Sequence, residues 1–488
     1  MGANGRNSGK NFFTFLSNSQ LEKIHQATLN LLATCGVRIG SKKAAKIFSA
    51  AGAIVEKTGQ YSLVKLPPDL VESCIHSAPG TVTYQGRIAD SDYTTHSSNS
   101  TFTTFGECVN IIDPFTGKFR KSIKDDCSKS ALFCDAIEEV KLLERPLNPS
   151  DFPAASQPLH NAEAIFSNTT KHAFIGSGNI ELFRRMAKMA ESCAAGSRDY
   201  DTRKIFSATI CPVSPLLINK DSCDIIIEAA RQGIGLLIFT MPLAGATSAV
   251  TLAGTLVSTN AEVLSGVVLA QLARKGTPCT YGSAATIMDL TQVDISLGAP
   301  ELTLLSAAVA QLARCYEIPS FVCGGMTDSK LPDSQAGYEF SHSALTCLLA
   351  GGDIISGIGV IEKGLTFDYA KLIMDVEMIR YLSKISAGID TSSEKIAFDV
   401  INEVGPSGEF LTHKHTYDHM RGQSVTELFN RQKRPEWLES GGNTLSENAY
   451  LKAADILSNY KPLPLNEAAK KEMSRIIWQY ESDLGLNK

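Results

Sequence analysis

The sequence predicts an α/β protein built as a (β/α)8 TIM barrel, with an N-terminal mixed helical cap and a C-terminal helical lobe. Three observations carry that expectation. Short β-branched runs at 207–211, 235–241, 278–283 and 318–324 each break into a turn rich in Pro, Gly or Ser. Long Ala- and Leu-rich segments follow these turns, as crossover helices follow parallel strands. The GxGxxG turn that an open, doubly wound sheet would set at a helix start is not found. With 488 residues, 43 % of them hydrophobic, the chain can bury a large core: one barrel plus appended elements.

The elements read in order as follows. Ser19 and Glu22 suggest a capping box for a helix to about Cys35, ended by Gly36. A second helix, 41–51, stops at Gly52, and Pro67 and Pro68 open a third. TVTYQG (81–86) reads as a strand, so 1–95 form the cap. DPFTG (113–117) is a hairpin turn between FGECVNII and KFRKS. Barrel grammar starts near 122. Helices over 122–136, 159–169, 179–194, 221–232, 250–275, 300–316, 334–351 and 366–388 alternate with strands near 139–144, 172–177, 206–212, 236–242, 279–283, 318–325 and 353–360. That makes seven strands, and the eighth is sought in 101–111. The barrel core is assigned to 96–390 and the polar, helical remainder to 391–488.

Composition narrows the function. A formal net charge of −5 argues against a nucleic-acid surface. No run of eighteen apolar residues exists, so no bilayer span is expected. The twelve cysteines never form CxxC, as expected of reduced thiols in a cytoplasmic protein. The start, MGANGRNSGKNFF, lacks a signal peptide's apolar core and reads as a flexible tail. Gly2 follows Met as in myristoylated chains, but Arg6 stands where Ser or Thr is usual.

In a barrel the chemistry belongs to the loops after the strands. Four are notable: 241–251, 282–290, 324–342 and 356–368. The third concentrates Asp328, Lys330, Asp333, Tyr338, Glu339, Phe340 and His342, and the fourth holds Glu362 and Phe367. Small residues let a ligand approach the backbone. Aromatic rings beside carboxylates suit a cation. Structural roles compete with these. Glu301 and Asp333 are acids at helix starts, favourable to the dipole. Tyr338 and Phe340 cannot both face the core. His342, on the face of Tyr338, is by default a hydrogen-bonded core histidine. His415 and His419 sit four apart with His413 nearby, but no fourth metal ligand is evident, and a capped helix start explains them better. No GxSxG, HExxH, P-loop or EF-hand appears. Pattern alone gives a barrel enzyme of undetermined chemistry.

TICPVSPLLINKD, PLAGATSAVTLAGTLVSTNAEVLSGVVLAQLARKGTPCTYGS and SLGAPELTLLSAAVAQLARCYEIPSFVCGGMTDSKLPDSQAGYE closely resemble the trimethylamine methyltransferase superfamily. DPFTGKFRKSIKDD, PSDFP, GLTFDYAKLIMDVEM and FLTHKHTYDHMR add to the match, which spans roughly 15–430. The resemblance implies a TIM-barrel methyltransferase that uses a corrinoid (cobalamin) carried by a partner protein. The founding members carry pyrrolysine at a position that falls in or beside Gly324–Met326, where this chain has ordinary residues. That departure implies the non-pyrrolysine branch, glycine betaine methyltransferase-like, whose substrates are quaternary amines. Proline betaine, carnitine and γ-butyrobetaine remain alternatives, as do a non-catalytic betaine-binding paralogue and a lyase or aldolase using Lys330 as a Schiff base.

The chemistry is coherent with that branch. A quaternary ammonium already carries its charge and leaves as a neutral tertiary amine, so no acid or metal is expected in this chain. The protein's task is positioning, which supplies roughly 7–11 kcal/mol. No catalytic residue beyond positioning is expected. The expected cage is Tyr93, Phe105, Phe340 and Phe367, with Glu107 or Glu362 behind it. His342 is the first choice to bind a substrate carboxylate, followed by the backbone of the Gly324–Thr327 turn, with Gly325, Met326 and Asp328 in contact range. A homo-oligomer is expected, with neither nucleic acid nor membrane as partner.

Overall fold

The computed structural model describes residues 12–95, 100–194 and 203–486. The tail reading for the first eleven residues therefore lies outside the described residues. Eight parallel strands form one sheet: β1 (Thr101–Thr104), β2 (Leu142–Glu144), β3 (His172–Ile175), β4 (Phe206–Ile210), β5 (Leu236–Thr240), β6 (Cys279–Ser283), β7 (Ser320–Cys323) and β8 (Ile354–Ile358). Each is followed by a helix: α1 (Lys124–Ala136), α2 (Gln157–Asn168), α3 (Ile180–Ala194), α4 (Lys220–Gln232), α5 (Leu252–Ala273), α6 (Pro300–Cys315), α7 (Ser334–Ala350) and α8 (Tyr369–Ala387). The expected (β/α)8 barrel is present, and its eighth strand lies inside the 101–111 window.

The barrel closes between β1 and β2 by unusual means. A parallel bridge joins Phe102 to Val140 at the foot of the seam. Above it, threonine hydroxyls stand in for the backbone ladder: Thr103 Oγ1 accepts from Glu144 N at 2.8 Å, and Thr104 Oγ1 donates to Glu144 O. Higher still, Glu107 N donates to Arg145 O at 3.0 Å and Cys108 N to Pro146 O at 2.9 Å. The seam thus fixes the two segments that leave β1 and β2 side by side.

A column of rings fills the barrel axis. Tyr84 packs on Phe174 (5.4 Å between centroids), Phe174 on Phe321 (5.3 Å), Phe321 on Phe239 (5.6 Å) and Phe239 on Phe105 (6.5 Å), all edge-to-face. Such contacts add about 1 kcal/mol each beyond area burial. At the N-terminal end the hairpin Thr83–Tyr84/Tyr93–Thr94 stops the floor, its Tyr84 hydroxyl 2.7 Å from Thr280 Oγ1.

The buried end of the string TLAGTLVSTNAE packs into the core. On α5, Asn260 joins Thr28, Tyr281 and Tyr316 at 2.7–3.0 Å. Glu262, 0 % exposed, accepts from Thr240 Oγ1, Ser214 Oγ and Leu216 N, tying the loop after β4 to the helix behind it. Gly266 is demanded by close packing, since a Cβ there would lie 2.7 Å from Ile238 Cγ2. This 22-residue helix is long and apolar enough to cross a membrane, but it is a core helix, mostly buried in the protein.

Two details of the sequence reading need correction. The first capping box is Ser17 with Gln20, not Ser19 with Glu22. The N-terminal region also holds three unforeseen strands, Val37–Ile39, Ile54–Thr58 and Tyr61–Lys65, in a sheet completed by Leu217–Ile218. Toward the C-terminus, helices Leu445–Asn459 and Glu467–Asp483 lie against barrel helices: Tyr450 donates to Asp368 at 2.9 Å, and His160 meets Glu481 at 2.8 Å. His413 caps helix Lys414–His419, accepting from His415 N at 3.0 Å.

Candidate active site at the barrel mouth

Two small sheets frame the C-terminal rim. Leu243–Ala244 pairs with Thr286–Asp289, which pairs with Asp294–Ser296; across the mouth, Val360–Ile361 and Thr366–Phe367 join the hairpin Asn110–Ile112/Phe119–Lys121. DPFTGKFRKSIKDD is that hairpin and its anchor. Arg120 bridges Asp113 and Asp126, and Asp126 also accepts from Ile123 N at the start of α1.

Inside the frame, half-buried and exposed groups gather where β1 to β5 end. Phe105 and Gly106 are half-buried, Glu107 is exposed, and Gly176, Thr209, Cys211 and Met241 are half-buried or exposed. Arg145, 5 % exposed, ion-pairs with Glu107 and donates to Gly176 O at 3.3 Å. Beneath lies Glu144, 6 % exposed, its Oε2 accepting from Ser356 Oγ at 3.2 Å. Burial pushes this carboxyl up to about 8, so at neutral pH it is mostly uncharged, and burial also draws Arg145 down to about 10. Within this group of described residues Arg145 is a cation matched by the exposed carboxylate of Glu107. Sequence reasoning missed Glu144 and Arg145. The available signal was two opposite charges closing an apolar run before a proline, in LLERP.

The expected site residues scatter. Phe105 and Glu107 are at this mouth. Gly325 (φ 145°) and Met326 line the turn after β7, where a Cβ on Gly325 would lie 3.0 Å from Phe340 Cε2. Met326 is fully buried and packs beside Phe105 where Gly364 leaves space for both. Phe340 and Phe367 are buried to 1 % and 0 %, so neither offers a free face. Phe340 already carries Lys371 Nζ, 4.8 Å from its centroid, and Phe367 packs on Tyr369.

Four placements correct the expected cage. Tyr93 is at the opposite end of the barrel, in the floor hairpin, with Asp353 of the β8 entry as an electrostatic neighbour. His342 faces outward: Phe340 points in, residue 342 is about 200° round the helix, and its Nδ1 meets Thr303 of α6 at 3.0 Å. Asp328 is consumed by loop bracing, accepting from Ser296 Oγ, Leu297 N (2.8 Å) and Gly298 N (3.1 Å). Glu362 accepts from Thr366 Oγ1 at 2.6 Å within its own hairpin. Asp333 caps α7, Glu301 lies in the first turn of α6, and Lys330 is an exposed rim residue donating to Asp328 O.

Comparison with known proteins agrees with this architecture. Residues 5–485 match the trimethylamine methyltransferase (MTTB) family. The chain is 43 % identical over 471 residues to a trimethylamine methyltransferase of Desulfitobacterium hafniense, covering 96 % of this chain and 94 % of that one. It is 30 % identical over 477 residues to a glycine betaine methyltransferase of the same species, covering 97 % and 98 %. The crystal structure of the Methanosarcina barkeri monomethylamine methyltransferase superposes with a TM-score of 0.50 at 14 % identity, covering 90 % of this chain and 94 % of that one, which supports the barrel fold. The chain belongs to the trimethylamine methyltransferase family and is a methyltransferase.

Proposed function

We propose that this methyltransferase takes a methyl group from a quaternary amine, glycine betaine first among them, and passes it to the Co(I) corrinoid of a partner protein, releasing a tertiary amine. The observation that carries the reading is the character of the mouth. A half-buried ring, Phe105, stands beside small and thioether side chains, and the nearby Arg145 and Glu107 charges offset one another. At Gly324–Met326, where the family resemblance sets pyrrolysine, the chain offers only backbone and a buried thioether. A pre-charged nitrogen needs nothing more there than orientation.

The nearly uncharged Glu144 fits the same logic. The ammonium charge vanishes as the C–N bond breaks, so a full anion beneath it would hold the ground state more than the transition state. Phe105 and the small residues keep the N-methyl group near the opening, and the bound corrinoid supplies the nucleophilic metal that accepts it.

A partner's docking surface is also at hand. Val109, Val213, Val250, Leu290, Val293, Leu331 and Leu365 are 44–79 % exposed, and all lie in loops that follow barrel strands. Exposed apolar side chains ringing a mouth suit a protein lid. The reaction belongs to the reducing cytoplasm, where Co(I) is maintained.

The test follows Co(I) cobalamin conversion to methylcobalamin with a panel of quaternary amines and trimethylamine. Methyl transfer from glycine betaine or another quaternary amine is expected. Transfer from trimethylamine alone would overturn the substrate class. Trimethylamine is the second reading, favoured by the 43 % identical relative's activity.

A further inference from the structure

We infer that Arg145 receives the carboxylate of a zwitterionic quaternary amine, and that Glu107 occupies the carboxylate's place until substrate arrives. This rests on the function proposed above and assigns the half of the substrate that a cation cage leaves unread.

The two partners of this ion pair differ in burial. Arg145 is 6 % exposed in its side chain, whereas its ion-pair partner Glu107 is 51 % exposed. A guanidinium has five N–H donors, and burying it is costly unless they are used. Here Nη1 meets Gly176 O at 3.3 Å, Nη2 meets Glu107, and Nε is buried without a partner. The cation is fixed and under-satisfied. Its anion is not fixed. Glu107 leaves β1 in a left-handed conformation (φ 69°), and the Arg145 pair is its only side-chain tie among the described residues.

The place is also open. Gly176 is half-buried, and a Cβ there would stand in ordinary contact with the pair, 3.7 Å from Glu107 Oε1 and 3.8 Å from Arg145 Nη2, so no bulky side chain covers the pair from this side. Cys211 is an electrostatic neighbour of Arg145. Phe105 lies two residues from Glu107 on the same segment leaving β1, so ring and guanidinium can serve the two ends of a small molecule bearing an ammonium and a carboxylate. Arg is the side chain whose planar fork matches a carboxylate in two bonds. An incoming carboxylate that exchanges with Glu107 gains that fork without disturbing buried charge, and Glu107 returns to water.

The test compares glycine betaine with tetramethylammonium, which has the same head and no acid. For Arg145→Met, betaine KM is expected to rise about 10- to 100-fold, whereas tetramethylammonium, drawn by the Glu107 carboxylate left unpaired, should bind no more weakly than to the unaltered enzyme. Arg145→Lys should restore part of the betaine affinity. Glu107→Ala, at an exposed position, should lower betaine KM several-fold by removing the internal competitor, and should raise tetramethylammonium KM by leaving Arg145 unpaired beside the cation site. Calorimetric binding of both ligands reads the same pattern without turnover. Equal losses for both ligands in Arg145→Met, or a raised betaine KM in Glu107→Ala, would overturn the assignment while leaving the function intact. Failure of the unaltered enzyme to bind or demethylate any quaternary amine would overturn both.

Discussion

Lys371 Nζ sits 4.8 Å from the centroid of Phe340 and is held by both oxygens of Asp375 at 2.5 and 2.7 Å. The ring expected to cradle a substrate's ammonium thus cradles one of the protein's own. Phe340 in turn supports the Gly325 turn, so this buried pair on α8 braces the loop after β7 from behind.

Lys371→Met would leave Asp375, 3 % exposed, facing Gly359 N alone. Breaking a buried pair costs about 3–5 kcal/mol, and urea denaturation should show a loss of that size. Replacing both partners, Lys371→Met with Asp375→Leu, should recover most of it, because no buried charge is then left behind.

Glu144 imposes a pH dependence of known sign. Its carboxyl titrates near 8 in the fold and near 4.5 when exposed. Between those values the fold keeps a proton that the unfolded chain has released, so stability falls as pH rises from 4.5 to 8 and is flat above. At about 1.4 kcal/mol per pH unit the loss amounts to a few kcal/mol. Glu144→Gln, which keeps the Ser356 contact, should gain on the unaltered protein across that window in denaturant titrations.

His172 runs the other way. It is buried at the barrel floor, donating from Nδ1 to Gln85 O at 3.0 Å and accepting at Nε2 from Ser207 Oγ at 2.9 Å. Burial lowers it to about 4. Below its ordinary 6.5 the unfolded chain binds a proton that the fold refuses, so stability is lost as pH drops from 6.5 to 4, by about 3 kcal/mol. His172→Gln should flatten that acid limb.

Two phenylalanines should separate function from folding. Phe105→Ala, at the mouth, is expected to raise KM for a quaternary amine about 30-fold, the equivalent of one desolvated ring contact of about 2 kcal/mol. Phe367→Ala, fully buried, is expected to cost about 3–5 kcal/mol of stability, read as a lowered denaturation midpoint.

The barrel was legible because β5, β6 and β7 are buried on both faces, so LLIFT, CTYGS and SFVC carry no charge and stand out between turns and long helices. The N-terminal strands were not. Ile54–Thr58 is exposed at four of its five positions, which erases any alternation. The site was only partly legible. Spacing puts Tyr338 and His342 on one face, but nothing in spacing says that the face turns outward; Phe340 closing against Gly325 decides it. Aromatic and acidic residues drew attention to the loop after β7, where Asp328 and Glu339 in fact brace backbone. Arg145 escaped because β2 is only three residues long and its charges look like a strand's frayed end.

The stopped floor has a kinetic corollary. With Tyr84 wedged into the far end, the amine and cobalt carrier of the proposed reaction would share one doorway. The amine has to be seated before the carrier arrives, and the demethylated amine waits until the carrier departs. Turnover is then an ordered queue, and an excess of carrier should slow the enzyme by blocking its own entrance.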